Sequence, residues 1–543
     1  MASAIARSSV MTSPVELAPD YYLGNFRLLL GWVEERYGDL LIAEERGWLT
    51  RFTSLSHPAA CLLVRLLSRK GEWFRADKLH YPEIGALPLD ELADAGFIRL
   101  ATPSWPELGL LLTKPELHAL APEQPRSARK DQLLARLAEA PLPALAFRTL
   151  QVVDRPLLER FLLLFFGNRE QSLTEFVLLD LGHYRYEPYP IGADDRLFQS
   201  RAQLDTRLAL DQWHDAWQQA REAQGPAAAS EWQATLPAEP QWPALQGRHE
   251  RLRLALARDL ERAGEPAAAL TLYRTCQRPP ARERQVRLLL EAGDLGAAET
   301  LLHTMLAAPL DEEEREVRRP LADKLARQRG HKVARHRHPL PPTWHLTLPD
   351  WPGRVEEAAL EALAAEGWQG FWCENALING LFGLAFWEII FSPQPGVFFN
   401  RYQRAPADMF SANFIQRRQA QFDARWQELA TPASWLALLD RYDEKLGTLN
   451  AWVEWERLPR ELLELALTTI PLAQRLAMLE RLSFDLRGNR SGQPDLALFR
   501  EGEYCLVEVK GPGDELQSHQ RRWLQHFAAC DIPHAVARIT RQE

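Results

Sequence analysis

The chain has 543 residues, enough for roughly three or four domains at ~100 to 200 residues each, and 46% of them are hydrophobic, which is ample for several cores. Lys and Arg number 64 against 73 Asp and Glu, a formal net charge of −9, so the chain is no globally basic nucleic-acid binder and any such contact must come from local basic patches. Cys61, Cys276, Cys373, Cys505 and Cys530 lack CxxC pairing, which argues against zinc sites and a disulfide framework, and no apolar run reaches ~18 residues. The Ser/Ala-rich start carries no signal-peptide core, so the expectation is a soluble intracellular protein with no membrane partner.

Residues 21 to 100 alternate helical patterns with a hairpin-like segment, Ser68 to Arg75, which suggests a helix-turn-helix or winged-helix unit. Arg69, Lys70, Trp73, Phe74 and Arg75 there would touch a phosphate backbone or form a solvated helix end. Lys114 to Leu120 and Arg126 to Leu137 read as two short helices joined by a basic turn carrying Arg126, Arg129 and Lys130; Leu133, Leu134 and Leu137 say only that the second is amphipathic. Phe161 to Gly167 and Phe176 to Gly182 read as core helices, and Pro226, Pro237, Pro240 and Pro243 mark a loop or linker.

Beyond it the phrases around Gly264 and Gly293 repeat at a step of 29, close to tetratricopeptide-like helix pairs, whose default role is a scaffold. From Arg315 to His338 nine Arg or Lys face two acids, the best electrostatic DNA footprint in the chain, with Arg319, Lys324, Arg327 and Lys332 as its expected contacts. His331, His336, His338 and His345 lie close in sequence but lack a Cys partner or an i, i+4 pair, so phosphate contact or solvation is expected rather than a metal. Trp372 to Phe391 reads as a helix in which Glu374 shares a face with Leu377, Ile378, Leu381 and Ala385, with Glu388 weaker on the same stripe. An inward carboxylate there needs a cation, a metal or the helix N-terminal amides, and capping is the ordinary explanation.

The most informative stretch runs from Gly492 to Gly511. Two short apolar runs flank Glu501-Gly502, a hairpin signal, and if those two residues form the loop Asp495 sits opposite Glu508. The period of two puts Tyr504, Leu506, Glu508 and Lys510 on one side and Cys505, Val507 and Val509 on the other. Gly511-Pro512-Gly513 stops the strand, and a helix follows with Ser518 as its expected N-cap and Gln520 as an amide on an otherwise apolar stripe of Leu516, Trp523, Leu524 and Phe527. His534 to Ile539 completes a β-β-α-β pattern. Opposed carboxylates repel and suit hard cations such as Mg2+ or Mn2+, which acidify water and neutralise charge on a scissile phosphate. A surface Asp-Glu-Lys salt network accounts for the same spacing.

Pro494-Asp495 followed by Glu508-Val509-Lys510 resembles the PD-(D/E)xK nuclease superfamily, and Gly492-Gln493-Pro494-Asp495 with Glu-Val-Lys-Gly-Pro is similar to its virus-type replication-repair nuclease (VRR-NUC) branch. From about Tyr21 to the end the chain resembles the Fanconi-anaemia-associated nucleases, in a form without the N-terminal ubiquitin-binding finger. Leu66 to Trp73 with His80 to Ile84 belongs to that resemblance. It implies a SAP-like motif touching duplex DNA through Arg126, Arg129 and Lys130, and a DNA groove near Gln403, Arg404, Pro406, Asp408, Phe414, Arg417 and Arg418. It also implies a metal site of Glu374, Asp495, Glu508 and the Val509 carbonyl for one or two Mg2+ or Mn2+ ions, with Lys510 acting on the attacking water and Gln520 assisting. Some members of the family hold a DNA 5′-phosphate in a basic pocket, for which His345 is the candidate here.

The expected architecture is multidomain and predominantly α: a winged-helix-like domain over 15–100, a SAP-like region with helical extension over 101–240, helical repeats over 245–370 and an α/β PD-(D/E)xK core over 371–543. The expected activity is divalent-metal-dependent cleavage of branched DNA such as 5′ flaps, leaving a 5′-phosphate and a 3′-hydroxyl, with 5′-to-3′ exonuclease character and a role in interstrand cross-link repair. It would operate in a bacterial nucleoid or a eukaryotic nucleus. A junction or replication-intermediate nuclease of the same core, and a non-catalytic DNA-binding scaffold, are the alternatives.

Overall fold

The computed structural model describes residues 18–169, 171, 173–178, 185–334, 339–349, 351 and 353–542. They form two compact units that divide between His183 and Tyr184. That division falls inside the span expected as one SAP-like region and extension.

In the first unit α1 (Tyr21–Tyr37) buries Tyr22, Phe26, Leu29, Leu30 and Val33 at helical spacing against α2 (Ala43–Thr53) and α3 (His57–Leu67). Ser56 caps α3 by accepting from the Ala59 amide, with Pro58 in the first turn. At the start of the same helix His57 pairs with Asp20 at 2.9 Å, close to the buried Cys61 thiol. Then come β1 (Trp73–Arg75), α4 (Leu89–Asp94), β2 (Ile98–Leu100), three short helices α5 (Trp105–Leu111), α6 (Lys114–Leu120) and α7 (Lys130–Leu137), β3 (Thr149–Val152), α8 (Arg155–Phe166) and α9 (Leu173–Leu178). The sheet order is β1-β3-β2, all antiparallel.

The central strand of the winged-helix sheet therefore comes from residues 149–152, beyond the expected boundary at 100. The SAP-like helices are an insertion between β2 and β3, packed around Leu108, Leu117, Leu133 and Leu137. Phe74 and Arg75 are structural rather than phosphate contacts: both are buried, and Arg75 reaches Asp77 and Glu116, each at 2.8 Å, and lies 3.7 Å over the Phe147 ring. Arg69 and Lys70 are exposed.

The second unit opens with α10 (Arg201–Gln224) and α11 (Ala228–Trp232), then α12 (Pro243–Arg262), α13 (Pro266–Arg274), α14 (Ala281–Ala292), α15 (Leu295–Ala307) and α16 (Glu312–Gln328). Gly264 and Gly293 sit in the turns closing α12 and α14 with φ of 83° and 78°, which is why the repeated phrases carry glycine there. After the repeats come β4 (Thr343–Leu348), α17 (Val355–Ala365), β5 (Gln369–Trp372), α18 (Leu377–Ala385), α19 (Trp387–Ile390), α20 (Phe414–Arg417), α21 (Gln419–Leu429), α22 (Pro432–Lys445), α23 (Arg460–Thr469) and α24 (Leu472–Phe484). The chain ends with β6 (Leu496–Arg500), β7 (Glu503–Lys510), α25 (Ser518–Ala529) and β8 (His534–Arg541).

The five strands run in the order β4-β8-β7-β6-β5, with β7, β8 and β4 mutually parallel and the β5-β6-β7 pairs antiparallel. Leu498, Val507, Val509 and Ala537 face α17, while Phe499, Leu506 and Val536 face the cluster containing residues of α18, α24 and α25. Burial on both faces explains the near-continuous apolar runs in β6 and β7. Because β4 and β5 belong to this sheet, the α/β core reaches back to Thr343 rather than starting at 371, and the repeats stop with α16. Among the described residues no single helix is long and apolar enough to cross a membrane.

Candidate active site

In the β6-β7 hairpin Leu496 pairs with Val507 and Arg500 with Glu503, and both loop residues, Glu501 and Gly502, have positive φ, 47° and 83°. That is a two-residue turn whose twist matches the strands. Continued by one position, the register sets Asp495 against Glu508, as the spacing implied. Both are buried, Asp495 8% and Glu508 1% exposed. Asp495 Oδ2 accepts from the Val509 amide at 2.8 Å, and its carbonyl accepts from the Cys373 amide at 2.8 Å.

Burial pushes both carboxyls above the ordinary range, most strongly for Glu508, which also feels the Asp495 charge and shares a hydrogen bond with it. Lys510 Nζ sits 3.0 Å from Glu508 Oε1, and Gln520 Nε2 donates to the same oxygen at 2.5 Å. Side chains from the β6-β7 hairpin and from α25 thus meet at Glu508. The solvated salt network is ruled out, since Asp495, Glu508 and Lys510 are all buried.

The N-cap of α25 is Gln517, not Ser518, which is already the first helical residue. The Gln517 amide donates to Gln520 Oε1 at 2.9 Å, so capping occupies the oxygen of Gln520 and aims its NH2 group at Glu508. Gly492 makes this approach possible. Its φ is +81°, and a β-carbon there would lie 2.7 Å from the His519 carbonyl carbon and 2.9 Å from the Gln520 nitrogen. Gly492→Ala is expected to push the start of α25 outward, costing at least ~1 kcal/mol for the left-handed backbone and about 100-fold in cleavage rate through misplacement of Gln520. Melting curves beside single-turnover cleavage test this, and a variant as fast as the parent would refute the role given to the glycine.

Glu374 lies in the turn ahead of α18, not on its buried face; its side chain is 44% exposed and 3.8 Å from Arg457. The helix begins at Leu377, so the apolar stripe starts after the acid. The turn is nonetheless fixed beside the segment leading into β6. Asn375, at φ 55°, accepts from the Gln493 amide at 3.1 Å, and the Gln493 side chain donates to Asn379 Oδ1 at 2.8 Å. The charge of Glu374 acts on Asp495, as does that of Glu356 on α17. Glu356 was not singled out in the sequence because an acid in the first turn of a helix is commonplace.

Several other expected positions are placed by the fold as follows. Arg418 is buried and bridges Asp408 at 3.0 Å, Arg417 pairs with the same carboxylate at 2.8 Å, and Gln403 braces its own loop through Val397 and Ala405 carbonyls. Phe414 is core. Glu388 is exposed and pairs with Arg441 at 2.5 Å. His345 is exposed on edge strand β4, with β8 between it and β7. His336 and His338 lie outside the described residues. Arg126 and Arg129 are exposed and Lys130 half-buried at the start of α7, while Arg319, Arg327 and Lys332 are exposed and Lys324 half-buried.

One basic cluster has no sequence signature because its members are far apart in the chain. Arg251 is surrounded by Arg207, Arg248, Arg278 and Arg487, and burial followed by their charges pulls its pKa down. Asp211 bonds Arg207 at 2.9 Å and Arg248 at 2.5 Å. Among the described residues no carboxylate pairs with Arg251, Arg278 or Arg487.

Three family models match the chain: the FAN1 HTH domain over residues 20–99, the Fanconi anemia-associated nuclease SAP domain over 106–149 and the VRR-NUC domain over 431–540. The chain is 38% identical to a Fanconi-associated nuclease 1 homolog of Pseudomonas aeruginosa over 97% of each protein. It is 25% identical to human Fanconi-associated nuclease 1, over 95% of this chain and 62% of the human one. A crystal structure of paFAN1 bound to 2nt 5′flap DNA with gap is similar with a TM-score of 0.82 at 37% identity, covering 98% of this chain and all of that one. The complex with 1nt 5′flap DNA gives 0.80 at 38% identity, covering 97% of this chain and 100% of the other. With identity sustained over almost the full length of both chains and the fold shared throughout, this chain belongs to the Fanconi-associated nuclease family of structure-selective DNA nucleases.

Proposed function

We propose that the chain hydrolyses branched DNA, 5′ flaps above all, by a divalent-cation-dependent reaction with 5′-to-3′ exonuclease character, in the repair of interstrand cross-links. The supporting observation is the buried, directly opposed pair Asp495 and Glu508 beside Lys510. Two acids that burial pushes upward, Glu508 further by the Asp495 charge and Asp495 by Glu356 and Glu374, form an electrostatic deficit that a hard cation relieves, so the donor set fits Mg2+ or Mn2+.

Asp495 and Glu508 would hold one or two ions, joined by Glu374 from the neighbouring turn and the Val509 main-chain carbonyl. Bound there, the cation supplies charge neutralisation at the scissile phosphate and an acidified water. Gln520 keeps Glu508 in one rotamer, and Asp495 is kept in place by the Val509 amide. Lys510 Nζ, already 3.0 Å from Glu508, orients the attacking water and offsets charge on the pentavalent phosphorus. In-line attack leaves a 5′-phosphate and a 3′-hydroxyl.

For DNA, the proposed contacts are Arg126, Arg129 and Lys130 on the inserted helices and Arg319, Lys324, Arg327 and Lys332 after the repeats. Arg251, Arg278 and Arg487, lacking acidic partners, take the part of a terminal-phosphate pocket in place of His345. The similar paFAN1 structures hold 5′ flap DNA, which supports the flap as substrate. The work proposed is on chromosomal DNA, in a bacterial nucleoid or a eukaryotic nucleus. A labelled panel of 5′-flap, fork and four-way substrates with Mg2+ or Mn2+ tests the reading. Cutting near the flap base, lost in EDTA and fastest on 5′ flaps with a terminal phosphate, is expected; preferred cutting of four-way junctions, or no cutting of any branched substrate, overturns it.

A further inference from the structure

A concavity of about 1080 Å³ opens between α16, α24 and the outer face of α25. Seven arginines and three carboxylates line it. Some of that charge is spent internally. Glu312 holds Arg315 at 2.7 Å and Arg481 at 3.3 Å, Glu316 holds Arg522 at 2.8 Å, and Arg318 donates to the Leu306 carbonyl at 2.7 Å. Arg319, Arg327 and Arg521 remain, and among the described residues no carboxylate pairs with any of them. His526, pushed down to about 4 by burial and then by Arg481, is neutral and adds no charge.

The concavity adjoins the reacting centre through one helix. On α25 Gln520 faces Glu508, and the next residue, Arg521, faces the concavity. His519 lies in the field of both Lys510 and Arg522. Positive charge therefore flanks the start of α25, Lys510 on the side of the carboxylates and Arg521 and Arg522 on the side of the concavity. Its chemistry is that of phosphate contact rather than base stacking. Among the described residues no Phe, Tyr or Trp lines it, so it offers no stacking platform for a base. A volume of about 1080 Å³ takes a short run of one strand rather than both strands of a duplex.

We infer that this concavity holds the phosphate backbone of the single-stranded arm of the branched substrate, a few nucleotides from the scissile bond. The inference rests on the proposed flap-cutting function and adds to it where the arm runs. Contact there is independent of sequence and falls with salt.

The test uses the full chain and nicked duplexes bearing oligothymidine 5′ arms of increasing length, with binding measured by anisotropy in EDTA and cleavage in Mg2+. Affinity of the parent is expected to rise roughly tenfold with arm length and then level off, with the salt slope steepening by about 2 for three phosphate contacts. In a variant carrying Arg319→Ala, Arg327→Ala and Arg521→Ala the ratio of long-arm to armless affinity falls to near one; Arg521→Ala alone, measured beside its melting curve, lowers it part of the way. A parent with no dependence on arm length, or a variant that weakens every substrate by one factor, overturns the inference. If the parent still cuts armless nicked duplex, the nuclease reading stands without it; if nothing is cut, that reading falls too.

Discussion

Asp495→Ala is expected to lower flap cleavage by about 1000-fold or more while leaving DNA affinity in EDTA within a few-fold of the parent. The acid lies under the strand surface with its carboxylate held by the Val509 amide, so its loss removes a proposed cation ligand without removing a proposed DNA contact. The same variant has a second signature. In the folded, cation-free protein the Asp495 and Glu508 carboxyls sit above their unfolded pKa values, so the folded state binds more protons than the unfolded one. Stability is then full below the ordinary carboxylate pKa of about 4 and is lost as pH rises through the elevated values. Melting temperatures of the parent in EDTA should therefore decline on going from acid to alkaline buffer. Mg2+ should restore stability most at the alkaline end, where its binding displaces the fewest protons. Asp495→Ala relieves the repulsion and should flatten that decline. Undiminished cleavage, or a parent whose stability rises with pH in EDTA over this range, contradicts the assignment.

Lys510→Ala is expected to reduce the single-turnover rate by about 100- to 1000-fold with divalent-ion affinity changed only several-fold. An ammonium cannot ligate a cation, so the role proposed for Lys510 is on the reacting water and phosphate. That split distinguishes it from the acids, whose removal weakens ion binding and rate together. Titrating Mn2+ against rate at fixed pH reads both quantities from one experiment. A full recovery of rate at high Mn2+ would make Lys510 a brace for Glu508 rather than a participant.

The hairpin was legible because three constraints agree in it: a two-residue turn with positive φ, a period of two, and the Gly511-Pro512-Gly513 stop. The inward set of α25 followed from spacing, but its cap did not, since Gln517 caps through Gln520 and Ser518 is the commoner residue for that place. Glu374 was expected on the buried face of the helix and lies in the turn ahead of it, because an apolar stripe starting at Leu377 looks continuous with the acid before it. Arg418 and Arg75 mislead for a shared reason: buried guanidiniums paired with acids elsewhere in the chain are indistinguishable in sequence from exposed ones. Strands β4 and β5 escaped notice because each is short and separated from β6 by well over a hundred residues. The cluster around Arg251 is assembled from helices distant in the chain, so no window of sequence contains it.

The placement of α5, α6 and α7 between β2 and β3 bears on how this nuclease is inherited and dissected. A module spliced into the middle of another's sheet cannot be traded by cutting once, as a bead on a string can. The SAP-like helices are tethered at both ends to neighbouring strands, so the aim of their basic turn is set by a hydrogen-bonded ribbon instead of a swinging leash. Trimming the chain at residue 100 would strand two outer ribbons without the one that joins them, so the smallest portable piece of this half of the molecule includes both modules together.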